Sequence, residues 1–149
     1  MTDSVTVTEA SPASVTRLDL GLTILRVIVG VVFVFHGYDK LFVSGIPGVT
    51  GFFTQVGAPL PGITAPLASV LEFAGGIALI LGFLTPVVAA LLAVDVLSAL
   101  FLVHLPNGFA AQNGGYEFVL TLFAASLALA LTGPGAFAVS ALFGRERSR

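Results

Sequence analysis

The 149-residue sequence has no cysteine and no tryptophan, and only 9% of its residues are charged. Without cysteine the chain has no thiol–disulfide chemistry, no thiolate metal ligand and no means of carrying an iron–sulfur cluster. Soluble domains carry about 25% charged residues, so this chain has too little charge to cover a surface that faces water. Six basic and eight acidic residues also give no positive patch for nucleic acid. These absences exclude a soluble enzyme, a nucleic-acid-binding protein and a disordered scaffold.

The sequence is instead strongly apolar: 56% of its residues are hydrophobic and the mean hydropathy is +1.05. Four apolar stretches approach the roughly 20 residues that a helix needs to cross a bilayer. The predicted spans are 20–38, 63–84, 86–105 and 115–132, the last of them short. Residues 40–62 are interrupted by glycine and proline, which predicts an interfacial segment. The expected fold is an all-α, transmembrane four-helix bundle with this segment between helices one and two.

The two ends of the chain differ from this apolar region. Residues 1–17 are rich in serine and threonine, so we expect a flexible tail rather than a targeting segment. Residues 18–143 form the predicted membrane domain, and residues 144–149 form a basic tail. Four spans put both termini on the same side of the membrane. Four basic residues flank the spans on that side, whereas Lys40 alone flanks them on the other; the four are Arg17, Arg145, Arg147 and Arg149. This bias predicts a multi-pass protein of the cell membrane with both termini in the cytoplasm.

Three charged residues, Arg26, Glu72 and Asp95, lie well inside predicted spans. A charge at the centre of a membrane helix costs about 2.5–3.5 kcal/mol, so such residues normally face the bundle interior and pair. We therefore expect Arg26 to pair with Glu72 or Asp95. This intramembrane charge network either fixes the register of the bundle or forms a proton relay or transport path, and a small-molecule pocket is a third interpretation.

A second polar group lies where the first and third spans end and the second and fourth begin, on the predicted outer side. Histidine, lysine and glutamate beside an apolar bundle can hydrogen-bond a quinone head group and exchange protons with it. Tyrosine and lysine also serve as plain interfacial anchors, so both interpretations stay open. This outer rim consists of His36, Tyr38, Asp39, Lys40, His104, Asn107, Asn113, Tyr116 and Glu117.

Within the outer rim, we expect His36 and Lys40 to face a quinone ligand, with Glu117 neutralising Lys40 when no ligand is bound. His104 lies nine residues after Asp95, about 180° around an ideal helix, so both can face the interior only where the helix is locally unwound. This phase disfavours a haem held by both histidines. The spacing of candidate ligands predicts no metal site.

Six short motifs, taken in order, resemble the DoxX family of small four-helix membrane proteins. They cover about residues 20–135 and read GLTILRVIVGVVFVFHGYDKL, GVTGFF, LEFAGGIALILGFLTP, HLPNGF, NGGYE and LALTGPG. The family labels none of the matching positions as catalytic. Carried over to this sequence, those positions are Arg26, His36, Gly37, Lys40, Glu72, His104, Asn107, Gly108 and Glu117.

The resemblance implies quinone-linked redox work or a membrane anchor for redox enzymes. The family name comes from a subunit of a thiosulfate:quinone oxidoreductase, and a mycobacterial member is linked to a complex with a thiosulfate sulfurtransferase and superoxide dismutase. We therefore expect a membrane subunit of a quinone-linked oxidoreductase system or an anchor for soluble redox enzymes. It would contact the lipid bilayer and could form a homo-oligomer. The alternatives are a small proton-coupled transporter or channel that uses Arg26, Glu72 and Asp95, and a purely structural assembly subunit.

Overall fold

The computed structural model describes residues 12–135 and 137–140, and within them the chain is helical and has no strands. Residues 1–11 and 141–149, which hold most of the two predicted tails, lie outside the described residues. The first helix begins ahead of the predicted first span. The α-helices in chain order are α1 (Pro12–Tyr38), α2 (Gly45–Gln55), α3 (Pro61–Leu81), α4 (Thr85–Ala99) and α5 (Glu117–Thr132).

The ends of α3 are set by residues that depart from helical geometry. Leu60 precedes α3 with a φ of 48° in the left-handed region, and Pro61 follows it directly. Proline in the first turn loses no hydrogen bond, because that turn has no intrahelical acceptor for its N–H. The helix ends at Gly82, whose φ of 72° favours glycine because a side chain is strained there. The short turn after Gly82 makes α3 and α4 antiparallel neighbours.

Three helical segments of the described chain are long and apolar enough to cross a membrane: 17–43, 61–81 and 85–107. The fourth predicted span, α5, has 16 residues, or about 24 Å of helix. It runs back along α4, because Ser140 beyond its end donates a 2.8 Å hydrogen bond to the carbonyl oxygen of Gly82. The all-α membrane bundle is confirmed, and α2 is the short segment predicted between the first two spans.

The outside of the bundle carries many large apolar side chains. Leu18, Phe35, Val87 and Leu131 all expose more than half of their surface. A soluble protein of this size rarely exposes so much contiguous apolar surface, whereas hydrocarbon covers it without cost. The inward side of the same helices forms a separate apolar core, in which the most buried members are Phe33, Leu79, Ala89, Leu92 and Leu129.

A close contact between helix backbones joins α1 to α3. A Cβ atom added to Gly30 would lie 2.7 Å from the carbonyl oxygen of Gly76, and one added to Gly76 would lie 2.7 Å from that of Gly30. Nearer the outer rim, Gly37 packs against the backbone of Phe73. Small residues let helix backbones approach this closely in lipid. These contacts fix the antiparallel register of α1 against α3.

Two of the long helices end in π-helical turns. Helix α1 continues into the turn Asp39–Val43, and α4 continues into the turn Leu100–His104. A π-helical turn holds an additional residue, so it changes the direction of the side chains around it, and such turns occur frequently at functional sites. Both turns lie at the end of the bundle where α3 and α5 begin, which is the predicted outer rim.

Candidate ligand cavity

A cavity of about 340 Å³ lies between the helices at the outer-rim end of the bundle. All five helices contribute to its wall, which is largely apolar and includes Phe33, Phe53 and Phe118. Six polar or charged side chains also line it: His36, Lys40, Glu72, Asp95, Ser98 and His104. The cavity therefore unites residues that the sequence assigned to two separate groups, the outer rim and the intramembrane charge network.

Lys40 and Glu72 form an ion pair in the cavity wall. The Nζ atom of Lys40 lies 2.6 Å from Oε1 of Glu72. The contact between Gly37 and Phe73 explains this pair, because it brings the end of α1 beside the middle of α3. The other carboxylate oxygen of Glu72, Oε2, is buried and accepts no hydrogen bond from an N–H or hydroxyl group of the described residues, and the carboxyl group that interacts with Glu72 is that of Asp95. Buried polar atoms normally have a partner, so Oε2 is an acceptor that a ligand could satisfy.

The predicted ion pair of Arg26 with Glu72 or Asp95 is wrong. The Arg26 side chain is buried, and its guanidinium donates hydrogen bonds to two main-chain carbonyl oxygens instead. Nη1 lies 2.9 Å from the oxygen of Pro134, and Nη2 lies 2.8 Å from that of Phe137. Arg26 therefore holds the segment after α5 against α1 and takes no part in the cavity.

The register of α1 against α3 explains why Arg26 misses both carboxylates. Gly37 opposes Phe73, the residue after Glu72, whereas Arg26 precedes Gly37 by 11 residues. That separation corresponds to about 16 Å along a helix. Because α3 runs in the opposite direction, Arg26 meets the far end of α3, where its guanidinium packs against Gly82. Hydropathy located these residues inside spans but did not give their relative depth.

Asp95 and His104 line the same cavity, although an ideal helix would direct them to opposite sides. The π-helical turn Leu100–His104 is the reason. One additional residue in the turn changes the direction of His104 by about 100° relative to a continuous α-helix. This turn is the local unwinding without which Asp95 and His104 could not both face the interior. Asp95 also interacts electrostatically with Glu72 and Lys40, so three charged groups share this part of the cavity.

The loop between α4 and α5 fixes the orientation of His104. Its Nδ1 atom lies 2.8 Å from the carbonyl oxygen of Gly114. A carbonyl oxygen only accepts, so Nδ1 carries the hydrogen, and Nε2 of the neutral ring is an acceptor. Asn107 Nδ2 donates to the same oxygen at 3.3 Å and to the oxygen of Val103 at 3.1 Å. Asn107 thus supports the position of His104 without lining the cavity itself.

His36 enters the cavity from α1, on a different helix from His104. Its ring packs against Phe118 of α5 with 6.3 Å between the ring centroids. In the part of the chain that the structure describes, no group of three or more metal-binding side chains could hold a metal ion. The two histidines bring hydrogen-bonding and proton-exchanging groups into one apolar space.

Several residues of the predicted outer rim lie outside the cavity lining. Tyr38 packs against the ring of Phe42 with 5.1 Å between centroids. Asp39 accepts a 3.1 Å hydrogen bond from Oγ of Ser44. Asn113 is exposed in the loop between α4 and α5. These three residues were predicted as ligand-binding, and the structure does not bring them to the cavity.

Glu117 does not neutralise Lys40, which corrects a second prediction. Its Oε1 atom accepts a 2.7 Å hydrogen bond from the main-chain N–H of Ala111, so it closes the loop that precedes α5. Lys40 finds its countercharge in Glu72 instead. Tyr116 is occupied in the same loop, where its ring packs edge-on against Phe109. Glu117 and Tyr116 shape the loop that positions His104 and do not line the cavity.

The contributions of α2 and Ser98 to the cavity were not predicted from the sequence. Phe52 and Phe53 of α2 line the cavity, and Ser98 lies one helical turn after Asp95. The adjacent phenylalanines in the GVTGFF motif were a usable signal, because an interfacial helix needs somewhere to bury such rings. The spacing of Ser98 from Asp95 was another, since residues three apart share a helix face.

A family model described as DoxX matches residues 21–105, more than half of the chain. The chain belongs to the DoxX family. This DoxX protein is 33% identical over 130 residues to the inner membrane protein YqjF of Escherichia coli (strain K12), with 86% of this chain and 95% of the relative covered.

Two other relatives of this DoxX protein extend the comparison. CatD of Bacillus subtilis (strain 168), which bears the provisional name of an oxidoreductase, is 35% identical over 115 residues, covering 77% of this chain and 81% of the relative. The inner membrane protein YphA of Escherichia coli (strain K12) is 29% identical over 123 residues, covering 79% and 86%. No solved structure matches the chain. The protein is a membrane protein of the DoxX family.

Proposed function

We propose that this DoxX protein is the membrane subunit of an oxidoreductase system and binds a quinone head group in the cavity. The observation that carries the proposal is the convergence of both histidines, the Lys40–Glu72 ion pair and Asp95 on one apolar space. Ligand sites are typically lined by apolar side chains with a few convergent polar groups. Convergence from three separate helices, α1, α3 and α4 with their π-helical turns, is more than interfacial anchoring requires.

The residues present fit a quinone head group by size and by hydrogen bonding. The volume of about 340 Å³ falls in the range of about 300–1,000 Å³ that is usual for small-molecule sites. The Lys40 ammonium has three donors, of which one serves Glu72, so others remain for a ligand oxygen. Oε2 of Glu72 and Nε2 of His104 are acceptors in the same cavity, so they suit the hydroxyl groups of the reduced, quinol form of the head group.

The side chains of the cavity would bind the ring and move protons. A bound quinone would supply a ring that takes up electrons and protons on reduction. The Lys40 ammonium would stabilise negative charge on a ligand oxygen. The Nε2 atom of His104 would exchange a proton with that oxygen, while the Gly114 carbonyl keeps the other ring nitrogen protonated. Asp95 would serve as a second proton-exchanging group within the cavity.

A partner protein would have to supply the electrons. The chain contains no cysteine, so it has no redox-active thiol that could pass electrons to the cavity. This supports the role of a subunit or an anchor for a soluble redox enzyme. The resemblance to DoxX proteins suggests a thiosulfate sulfurtransferase or superoxide dismutase as that enzyme, and CatD is a relative with the provisional name of an oxidoreductase.

The test is direct binding of decylubiquinone to the purified protein in lipid nanodiscs. We expect saturable binding that Asp95→Asn and Lys40→Met each weaken by at least about tenfold, since each removes a cavity group. Asp39→Asn is the matched control, because it changes the same residue type outside the cavity and should stay within about twofold. Absence of binding to the wild-type protein, or equal binding by all variants, would refute the proposal.

A second function is favoured by the charge of the cavity. Glu72 and Asp95 are both acidic, and Lys40 is the one basic residue among the cavity-lining side chains apart from the histidines. We propose as the alternative a small transporter for a lipophilic cation, coupled to protons through these carboxyls. Uptake of tetraphenylphosphonium into proteoliposomes that Asp95→Asn abolishes would favour the transporter, whereas decylubiquinone binding without uptake favours the oxidoreductase subunit.

A further inference from the structure

A second cavity, of about 320 Å³, lies beside the first, between α2, α3 and α4. Three of its lining residues are largely exposed on the outside of the bundle: Leu67 and Val94 each expose 64% of their surface and Leu91 exposes 51%. The side of a membrane-spanning bundle faces hydrocarbon, so this cavity is a groove on the lipid-facing surface. We call it the lateral groove.

The lateral groove is almost entirely apolar. Besides Asp95 and Ser98, its one polar side chain is Thr64, whose Oγ1 already donates to the carbonyl oxygen of Pro59 at 3.0 Å. The hydroxyl of Ser98 is also occupied, because it donates to the carbonyl oxygen of Val94 at 2.9 Å. Away from Asp95, the groove therefore offers no free polar group to a ligand and suits a hydrocarbon chain.

The groove and the polar cavity meet. Five residues line both spaces, and they come from α2, the segment after it, and α4 with its π-helical turn: Phe53, Ala58, Asp95, Ser98 and Leu102. Asp95 is thus the charged residue at the junction. A molecule that extends from one space into the other would place polar atoms near the Lys40–Glu72 pair and apolar atoms against Leu67 and Val94.

We propose that the lateral groove binds the hydrocarbon chain of an amphiphilic ligand whose polar head lies in the cavity. The ligand then enters sideways from the membrane and not from water, and a long-chain quinone is preferred over a chainless one. The identity of the head group rests on the proposed function. The groove holds the hydrocarbon chain of the same ligand molecule, because the five shared residues make the groove continuous with the site of the head group.

The experiment compares two ligands and two variants in nanodiscs. The ligands are decylubiquinone and the same dimethoxy-methyl-benzoquinone ring without a chain. Val94→Trp places a large ring in the groove, and Val87→Trp is the matched control, since Val87 lies seven residues earlier on the same face of α4 and lines neither space. For each ligand the measured quantity is the affinity of the variant relative to the wild-type protein, which removes the difference in how the ligands partition into lipid.

We expect Val94→Trp to weaken decylubiquinone binding by about tenfold and to change binding of the chainless ring by less than about twofold. Val87→Trp should leave both affinities unchanged. If the wild-type protein binds both ligands but Val94→Trp weakens both equally, or neither, the groove assignment is overturned and the proposed function stands. If the wild-type protein binds neither ligand, the proposed function falls and the groove assignment falls with it.

Discussion

Lys40 Nζ lies 2.6 Å from Oε1 of Glu72, so a residue predicted at the rim neutralises one predicted in the middle of the membrane. The pair links the π-helical turn Asp39–Val43 to α3. It leaves Asp95, on α4, as the cavity carboxyl with no ion-pair partner among the described residues. The charge network of this protein is therefore organised around Lys40 and not around Arg26.

Removal of Lys40 should destabilise the bundle. Lys40→Met leaves Glu72 without its countercharge in an apolar wall, and we expect a loss of about 2 kcal/mol in the free energy of unfolding. This is below the roughly 3–5 kcal/mol for a fully buried pair, because 25% of the Lys40 side chain is exposed. Unfolding in mixed micelles, followed by far-ultraviolet circular dichroism, measures it. The double variant Lys40→Met/Glu72→Gln should recover most of the loss, and a single variant as stable as the wild type would contradict the pair's role.

Deletion of Phe101 should remove the π-helical turn Leu100–His104 and convert it to regular α-helix. A change of one residue rotates His104 by about 100°, which carries its ring out of the cavity. We expect unchanged helix content and at least about tenfold weaker decylubiquinone binding. Phe101→Ala keeps the chain length and is the control, with wild-type binding expected. Unaltered binding by the deletion variant would show that the turn does not position His104.

The contact between α1 and α3 should not tolerate a methyl group. At Gly76 an added Cβ would lie 2.7 Å from the carbonyl oxygen of Gly30, so Gly76→Ala forces the helices apart and should cost about 1–3 kcal/mol of unfolding free energy. Gly62 lies in the same helix with nothing within 4 Å of an added Cβ. Gly62→Ala should therefore be neutral or slightly stabilising. Equal effects of the two substitutions in thermal unfolding would count against the close contact.

Arg26 should prove to be a clamp for the segment after α5. Arg26→Met removes the donors for the carbonyl oxygens of Pro134 and Phe137, and we expect a loss of about 3 kcal/mol, since hydrogen bonds from charged groups contribute about 1.5–3 kcal/mol each. Hydrogen–deuterium exchange at the Ser140 amide should accelerate. Arg17→Met, the same change at an exposed position of α1, is the control. Exchange at the wild-type rate in Arg26→Met would exclude the clamp.

The orientation of the bundle can be tested directly because the chain has no cysteine of its own. Ser4→Cys and Ser148→Cys should resist an impermeant maleimide in intact cells and react after permeabilisation, as the bias of basic residues toward the two ends predicts. Gln112→Cys, in the exposed loop between α4 and α5, is the positive control for labelling from outside. Labelling of position 4 or 148 in intact cells would reverse the predicted orientation.

The sequence predicted the helices well because apolar length and breaking residues are local signals. The spans and the short segment between the first two follow from runs of apolar residues and from glycine and proline. The partners of Arg26 and Glu72 did not follow, because helix register depends on which backbones approach closely. That information lies in the pairing of Gly30 with Gly76, which a single helix period does not reveal.

The residues of the candidate site could be predicted only in part, because their positions also depend on helix register. His36, Lys40 and His104 were expected to meet, and the structure brings all three to one cavity. The position of His104 beside Asp95 required a π-helical turn, and no residue type specifies such a turn as proline specifies a helix start. The loop residues Asn107 and Glu117 resembled ligand-binding groups, whereas they satisfy main-chain atoms of their own loop.

The glycine contact between α1 and α3 has a mechanical consequence for the cavity. Backbones that touch at Gly30 and Gly76 cannot slide without collision, so these two helices behave as one rigid body that carries both Lys40 and Glu72. Helices α4 and α5 form the other extensively packed pair, and the two pairs contact each other far less. The cavity thus lies at the interface between these two helix pairs. If it opens, Asp95 and His104 move away together, while the ion pair across from them stays closed.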